Sequence, residues 1–362
     1  MTHKIIPLLV DLEREWRGGQ NQFLLLLKGL YERGLAAELL AAKGSALGHR
    51  AEKAGFCVHY TSRRSLLTAA RKVHALMKDE RFDVVHVNEA RALSAAWLAR
   101  THRKAPLLIS RRVGFPLGKG YVSRLRFRAA SRIIANSNWV AEQAAASGAP
   151  RDKLTVIYEG VEIPSLPAAA RRHEDRMRWG VRDQDRLLGC AGVLLEDKGQ
   201  EWVIRALAQL QREFADVKLL LAGEGQDRAR LQKLVSELQL QGAVIFAGFV
   251  KDVEAFYRAI DVFVFPALFE GLGTSLLAAM AHSVPSVTYF GCALGEIVEN
   301  GKSGLQVEPR NPDALAAAMR KFLSDARFAS SIGAEGRCRI EAIFSADRMV
   351  EETLRLYREV CA

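Results

Sequence analysis

Long apolar runs are missing from this chain: no stretch approaches the roughly 18 consecutive apolar residues of a membrane-spanning helix, so none is expected. The apolar stretch near the N-terminus is too short, and too soon acidic at Asp11, for a signal peptide, and reads instead as a first strand. Cysteine is scarce. The five residues (Cys57, Cys190, Cys292, Cys338 and Cys361) are scattered, odd in number and never spaced C-x-x-C. That pattern points to a reducing cytosol and away from disulfides or a zinc site. Aromatics make up 8% of the chain and accompany no nucleic-acid motif. Acid is absent from one long segment: residues 100–132 hold ten Lys/Arg and no Asp or Glu.

What is present is enough for two ordinary domains. The 362 residues are 49% hydrophobic, with a mean hydropathy of −0.01, as in a globular protein with ample core. The charge is uneven. Residues 1–160 carry 27 Lys+Arg against 13 Asp+Glu, a net of +14, and residues 161–362 carry 25 against 28, a net of −3. A basic first half suits an anionic partner. Within it Arg124, Arg128 and Arg132 are spaced four apart, as on one helical face, with Arg126 nearby. This patch fits anionic lipid head groups better than nucleic acid.

Strands and helices alternate throughout, which predicts two doubly wound, Rossmann-like α/β domains facing a cleft. Residues 4–10 read as a strand, followed by Gly18-Gly19 in a loop and a helix over 21–33. A helix over 64–79 precedes a strand carrying His86 and Asn88 at its carboxyl end, where such sheets place ligands. Arg111 and Arg112 follow the next strand, and guanidinium forks suit phosphate or carboxylate. The organising stretch is 261–309. A strand over 262–265 leads into Glu270-Gly271-Leu272-Gly273, then a helix over 274–282 with Thr274 and Ser275 as capping candidates. Glycines admit a ligand close to backbone, and a helix N-terminus favours a phosphate. Glu270 is placed for sugar hydroxyls. Phosphate beside polyol is the outline of a nucleotide-sugar pocket.

This stretch resembles the donor signature of family 4 glycosyltransferases, retaining enzymes of the GT-B fold. That signature has two glutamates eight positions apart; here the first is Glu270 and the second position is Ala278. Val244 to Gly248, the phrase 82–86 (Phe-Asp-Val-Val-His), the phrase Ala135-Asn136-Ser137 and the segment 156–161 match further family phrases. Lys198-Gly199 matches the family's phosphate lysine, but the arginine expected before it is Val193. The resemblance covers about residues 4–358. It implies domains at 1–163 (acceptor, with a C-terminal helix from 348 to 362 packing back on it) and 164–347 (nucleotide-sugar donor). It implies Lys198 and Glu270 as catalytic residues. Gly18, Gly19, Gly223, Gly225, Phe249, Val250, Gly271, Leu272, Gly273, Thr274 and Ser275 are the expected donor contacts. Acceptor contacts are expected from His86, Asn88, Arg111 and Arg112, and membrane contacts from Arg124, Arg126, Arg128 and Arg132.

The function so implied is transfer of a hexose or heptose from a nucleotide diphosphate to a cell-envelope glycolipid such as lipopolysaccharide core, with an α-linkage and at the inner face of the cytoplasmic membrane. No metal or other cofactor is expected, because helix N-termini and Lys198 can stabilise a leaving diphosphate. No side chain stands out as a base, which fits a reaction in which the leaving phosphate takes the acceptor proton. Val193 and Ala278 keep open a non-catalytic sugar-nucleotide binder, and the fold alone keeps open a nucleotide-sugar epimerase.

Overall fold

The computed structural model describes residues 4–62, 65–118, 120–165 and 169–362. Met1 to His3 of the N-terminal segment, Arg64 at the expected helix start, Lys119 of the basic run and 166–168 after the expected domain boundary lie outside the described residues. The chain forms two compact units, Met1–Gly160 with Ala346–Ala362, and Val161–Ser345.

In the first unit the strands are β1 (Pro7–Asp11), β2 (Glu38–Ala42), β3 (Val58–Thr61), β4 (Val84–Val87), β5 (Leu107–Arg111), β6 (Arg132–Ala135) and β7 (Leu154–Val156). All pair in parallel, in the order β3-β2-β1-β4-β5-β6-β7. Strands such as Leu8-Leu9-Val10 are apolar on successive residues because helices cover both faces of a parallel sheet. One face packs Val10, Val85, Val87, Ile109 and Val73, and the other packs Leu9, Phe23, Leu27, Leu108 and Tyr357.

That second face is completed from the far end of the sequence. The helix Ala346–Cys361 buries Met349, Val350, Leu354, Leu356 and Tyr357. It lies so close to the helix Gly18–Glu32 that a Cβ on Gly29 would come within 2.5 Å of Val350. Gly18 and Gly19 are a correction: they form the first turn of that helix, not a loop, and the N-cap is Arg17 in extended backbone. Neither glycine has positive φ, so nothing in the backbone stops the helix from starting there. Arg132 is a second correction. The helix Tyr121–Ala129 ends before it, and Arg132 opens β6, so it does not share a helical face with Arg124 and Arg128.

The second unit contains β8 (Arg186–Ala191), β9 (Val217–Ala222), β10 (Val244–Gly248), β11 (Val262–Phe265), β12 (Ser286–Tyr289) and β13 (Leu305–Val307). Its parallel order is β10-β9-β8-β11-β12-β13. The order reverses between β8 and β11, so the loops after those strands diverge, which is where doubly wound sheets bind ligands. The helix Ala169–Met177 is anchored by charge rather than by apolar packing. Asp175 is fully buried with Arg258 at 2.6 Å, and Arg176, 3% exposed, donates to the Ala259 carbonyl and lies 3.4 Å from the Asp261 carboxylate. Three further helices that the sequence pattern does not mark are Ala90–Leu98 and Gln200–Leu210, which pack on the sheets, and Ala326–Ile343, which packs on the helices Thr274–Ala281 and Pro312–Ser324.

Candidate functional site

At the carboxyl edge of the second sheet, three loops are tied together by backbone alone. Gly192 donates to the Ala222 carbonyl (2.9 Å), Leu194 to Glu224 (3.0 Å) and Gly223 to Gly248 (2.8 Å). Side chains would break this contact: a Cβ on Gly223, whose φ is +141°, would lie 1.9 Å from the Gly192 oxygen, and one on Gly225 2.2 Å from the Leu194 oxygen. The loop before the helix Gln200–Leu210 is pinned in the same way, since Gly199 (φ +73°) passes the Pro266 carbonyl and Leu268 donates to Asp197 at 2.8 Å. Fixing loops by backbone leaves their side chains to solvent, and Val193, Phe249, Phe269 and Phe290 are all exposed here.

The helix Thr274–Ala281 begins at this edge. Its N-cap is Gly273 at φ +101°, which gives the amides of Leu276 and Leu277 their carbonyl acceptor. Thr274 and Ser275 are therefore first-turn residues, not caps, and Ser275 is instead hydrogen-bonded to the buried Tyr257 phenol. No side chain caps the helix, so the positive end of its dipole is available to an anion. Beside it, Lys198 Nζ sits 2.9 Å from Glu270 Oε2 and 3.4 Å from the Phe269 carbonyl. Both side chains are about one-fifth exposed (21% and 23%), so the pair is open to a ligand that could separate it. Gly271, Leu272 and Gly273 are buried, and Val250 is half-buried after β10. Cys292, which the sequence does not mark as a site residue, accepts from the amides of Leu294, Glu270 and Ala293, and burial pushes its thiol pKa up. Ala278 offers only its carbonyl, which meets His282 Nδ1 at 2.7 Å.

The corresponding edge of the first sheet is a buried polar network. Asp11, at the end of β1, accepts from Gln20 (2.9 Å) and from Asn88. Arg112 is held by Glu159 at 2.6 Å and donates to Asn88. Burial pushes the Asp11 carboxyl upward, and pushes Glu89, with Asp11 beside it, up to about 7. His86 is a correction. It is 2% exposed with both ring nitrogens engaged, by the Tyr357 hydroxyl (2.7 Å) and Ser110 (2.8 Å), and burial lowers its pKa to about 3. It anchors the C-terminal helix instead of facing a substrate. Asn88 is likewise buried, the half-buried Arg112 is bonded to it and to Glu159, and Arg111 donates to the Phe115 carbonyl.

The basic helix Tyr121–Ala129 keeps Arg124 and Arg128 exposed, beside exposed Phe115, Tyr121 and Val122. Arg126 is instead half-buried and bonded to the Ser94 hydroxyl, and Arg132 pairs with Glu359 at 2.7 Å. No described helix is long and apolar enough to cross a membrane. No group of metal ligands gathers at the Lys198–Glu270 edge among the described residues. Among the described residues, the one group with ligand atoms within 4.8 Å is Glu38, Cys57 and His59, where Arg81 already forks onto Glu38. The metal-free expectation rests in part on an absence of Asp-x-Asp motifs, and this is a correction: the chain has one such triplet, at Asp183 and Asp185. Its carboxylates are occupied by His173 (2.7 Å) and by Arg182 and Lys218 (2.7 and 2.8 Å).

Comparison with known proteins bears on this arrangement. Residues 171–339 match the family described as "Glycosyl transferases group 1", and residues 16–163 match "Glycosyltransferase Family 4". The chain belongs to the family 4 glycosyltransferases. Among curated relatives, an uncharacterized glycosyltransferase, MJ1607, of Methanocaldococcus jannaschii is 32% identical over 58% of this chain and 55% of its own length. The chain thus spans about half the length of that relative. The lipopolysaccharide core biosynthesis glycosyltransferase LpsE of Rhizobium meliloti is 26% identical over 94% of this chain and 95% of its own. A Rickettsia africae glycosyltransferase structure superposes with a TM-score of 0.88 at 20% identity, covering 99% of this chain and 98% of that one. The Anabaena protein Alr3699/HepE, in complex with UDP and glucose, does so with 0.84 at 21%, covering 98% and 99%. At these identities the superpositions establish the GT-B fold alone.

Proposed function

We propose that the protein is a retaining, metal-independent glycosyltransferase that moves a hexose or heptose from a nucleotide diphosphate sugar to a cell-envelope glycolipid of the lipopolysaccharide core type. The observation that carries this reading is the accessible Lys198–Glu270 pair beside an uncapped helix N-terminus. A donor would part the two groups: Lys198 turns to the diphosphate, with the amides of Thr274 and Ser275, and Glu270 accepts from sugar hydroxyls. The bond from the anomeric carbon to the phosphate oxygen breaks as the acceptor oxygen bonds to the same face. The acceptor proton passes to the departing phosphate, whose charge the lysine and helix dipole stabilise. The exposed Phe249 offers a ring to a nucleobase. LpsE, aligned over nearly its whole length, supports the envelope acceptor.

Membrane attachment belongs to the same reading. Phe115, Tyr121 and Val122 offer apolar side chains, and Arg124 and Arg128 offer charge, to an anionic bilayer at the cytoplasmic face. Pelleting with vesicles containing phosphatidylglycerol, but not with pure phosphatidylcholine vesicles, is expected, and Tyr121→Ala with Arg124→Ala should abolish it.

The first test is thermal stabilisation by UDP, GDP and ADP, with and without EDTA. At a hundredfold excess over its Kd, the right nucleotide adds about 2.7 kcal/mol. Turnover should fall by about a hundredfold or more in Lys198→Ala and Glu270→Ala. Unchanged turnover in both variants ends the proposal as enzymology. Val193 and Ala278 favour a second reading, a binder without turnover, because each removes a charged donor contact of the family pattern. Release of nucleotide diphosphate with any donor and acceptor excludes it.

A further inference from the structure

The first unit holds an open cavity of about 840 Å³ that none of the expected site residues lines. Its walls are Arg14, Lys43, Gly44, Tyr60, Thr61, Ser62 and Arg91. These residues are far apart in sequence. The strand order β3-β2-β1-β4 brings together the loops after β1, β2 and β3 and the start of the helix that follows β4. Three of the wall residues are cations and none is a carboxylate. Among the described residues, Arg14 and Lys43 are paired with no acid, so their charges are open to an incoming anion.

Thr61 is a second, independent pointer. It is 5% exposed, yet its hydroxyl has no hydrogen-bond partner. A buried hydroxyl left so costs free energy unless something supplies its bond, and the cavity it lines is where that partner would come from. The backbone is already committed: Lys43 donates to the Thr61 carbonyl at 2.9 Å, and Ala46 to that of Arg14 at 3.0 Å. The helix Ala46–Lys53 opens two residues beyond Gly44, adding the positive end of its dipole. Tyr60, whose hydroxyl donates to Glu52 at 3.0 Å, gives the cavity an aromatic flank.

We propose that Arg14, Lys43, Arg91 and the Thr61 hydroxyl form a pocket for a phosphoryl group carried by the acceptor glycan. Three cations and a hydroxyl donor match a dianion with three oxygens better than a single carboxylate. The cavity far exceeds a phosphate, and its remaining space suits the sugar ring that bears one. The assignment rests on the transferase reading for the word acceptor, and it narrows that reading to phosphorylated glycans.

The probe is glucose 6-phosphate, titrated calorimetrically into the full chain at fixed ionic strength, against glucose and glucuronate. One-to-one binding of the phosphate ester alone is expected. Arg14→Ala and Lys43→Ala should each weaken it by about tenfold or more. Thr61→Val, which keeps the shape of the side chain, should weaken it by about fivefold without lowering the melting temperature of the ligand-free chain. Binding that survives all three substitutions, that is matched by glucuronate, or that is lost in Lys198→Ala instead, overturns the proposal. Binding of whichever nucleoside diphosphate stabilises the unsubstituted chain should be unchanged in the three variants. If no nucleotide sugar is ever turned over while glucose 6-phosphate binding still depends on Arg14 and Lys43, the pocket stands and the transferase reading falls.

Discussion

At the carboxyl edge of its sheet the first unit engages its polar side chains with one another, whereas the second joins its loops through backbone and leaves the side chains outside. Asp11, Asn88 and Glu159 are buried and linked through one another and the half-buried Arg112; Val193, Phe249, Phe269 and Phe290 are exposed around glycines that touch carbonyls. The charge divides in the same sense, since the first unit (residues 1–160 and 346–362) has a net charge of +13 and the second −2. A backbone-built edge is stiff without using side chains, and so can dedicate them to a ligand. An edge built from buried charges is stiff because of them, and has only its periphery, the cavity of Arg14, Lys43 and Arg91, left for binding.

Removing a charge from the first edge should be the most damaging change. Arg112→Ala leaves Glu159 and Asp11 buried without their cation, a loss of about 3–5 kcal/mol in urea unfolding; a loss under 1 kcal/mol would mean that the network is not what holds this edge. Next comes pH. The Glu89 carboxyl is raised in the folded chain from 4.5 to about 7, so the folded state binds its proton more tightly than the unfolded state does. The stability it contributes is complete below about pH 4.5 and is lost as pH rises through about 7, a swing of about 3 kcal/mol. The difference in unfolding free energy between the unsubstituted chain and Glu89→Gln should therefore shift by that amount between pH 4.5 and 8; a difference that does not move with pH refutes it.

On the second edge the vulnerable points are glycines. Gly223→Ala places a methyl against the Gly192 carbonyl at positive φ and should cost about 2–3 kcal/mol. Gly55→Ala, also at positive φ (+86°) but in open space, should cost only about 1 kcal/mol. Equal costs would show that φ, not the close approach of loops, governs this edge. The smallest effect sharpens the contrast. Val193→Arg, at a side chain already exposed, should change stability by no more than about 0.5 kcal/mol while strengthening binding of the stabilising nucleoside diphosphate by about tenfold. Unchanged affinity for that nucleotide would separate position 193 from the phosphate.

Sequence periodicity and spacing made the framework legible. The strand Val262–Phe265 and the helix opening at Thr274 stand where the apolar run and the glycines put them, and both sheets follow from the alternation of elements. The helix start at Gly18 was hidden because a Gly-Gly pair signals a loop unless packing overrides it, as Leu26, Leu27 and Leu30 do here. Spacing four apart placed Arg132 on a helix, though the apolar Ile133-Ile134 after it belongs to a strand. The buried role of His86 depends on Tyr357, 271 residues away, which no local pattern reveals. The cavity was invisible for the same reason: Arg14, Lys43, Thr61 and Arg91 share no motif, and only the order of strands gathers them.

The bond between His86 and Tyr357 also has a bearing on how the molecule is made. During synthesis the strands of the first unit leave the ribosome early, but Leu9, Phe23, Leu27 and Leu108 wait for a covering helix encoded after position 345. Nascent domains usually fold in order from the N-terminus. Here the unit begun before the other is completed after it, and an apolar face stays open while the whole second unit is translated. A chaperone that shields nascent apolar surface therefore has a longer task on this chain than on one whose domains are continuous.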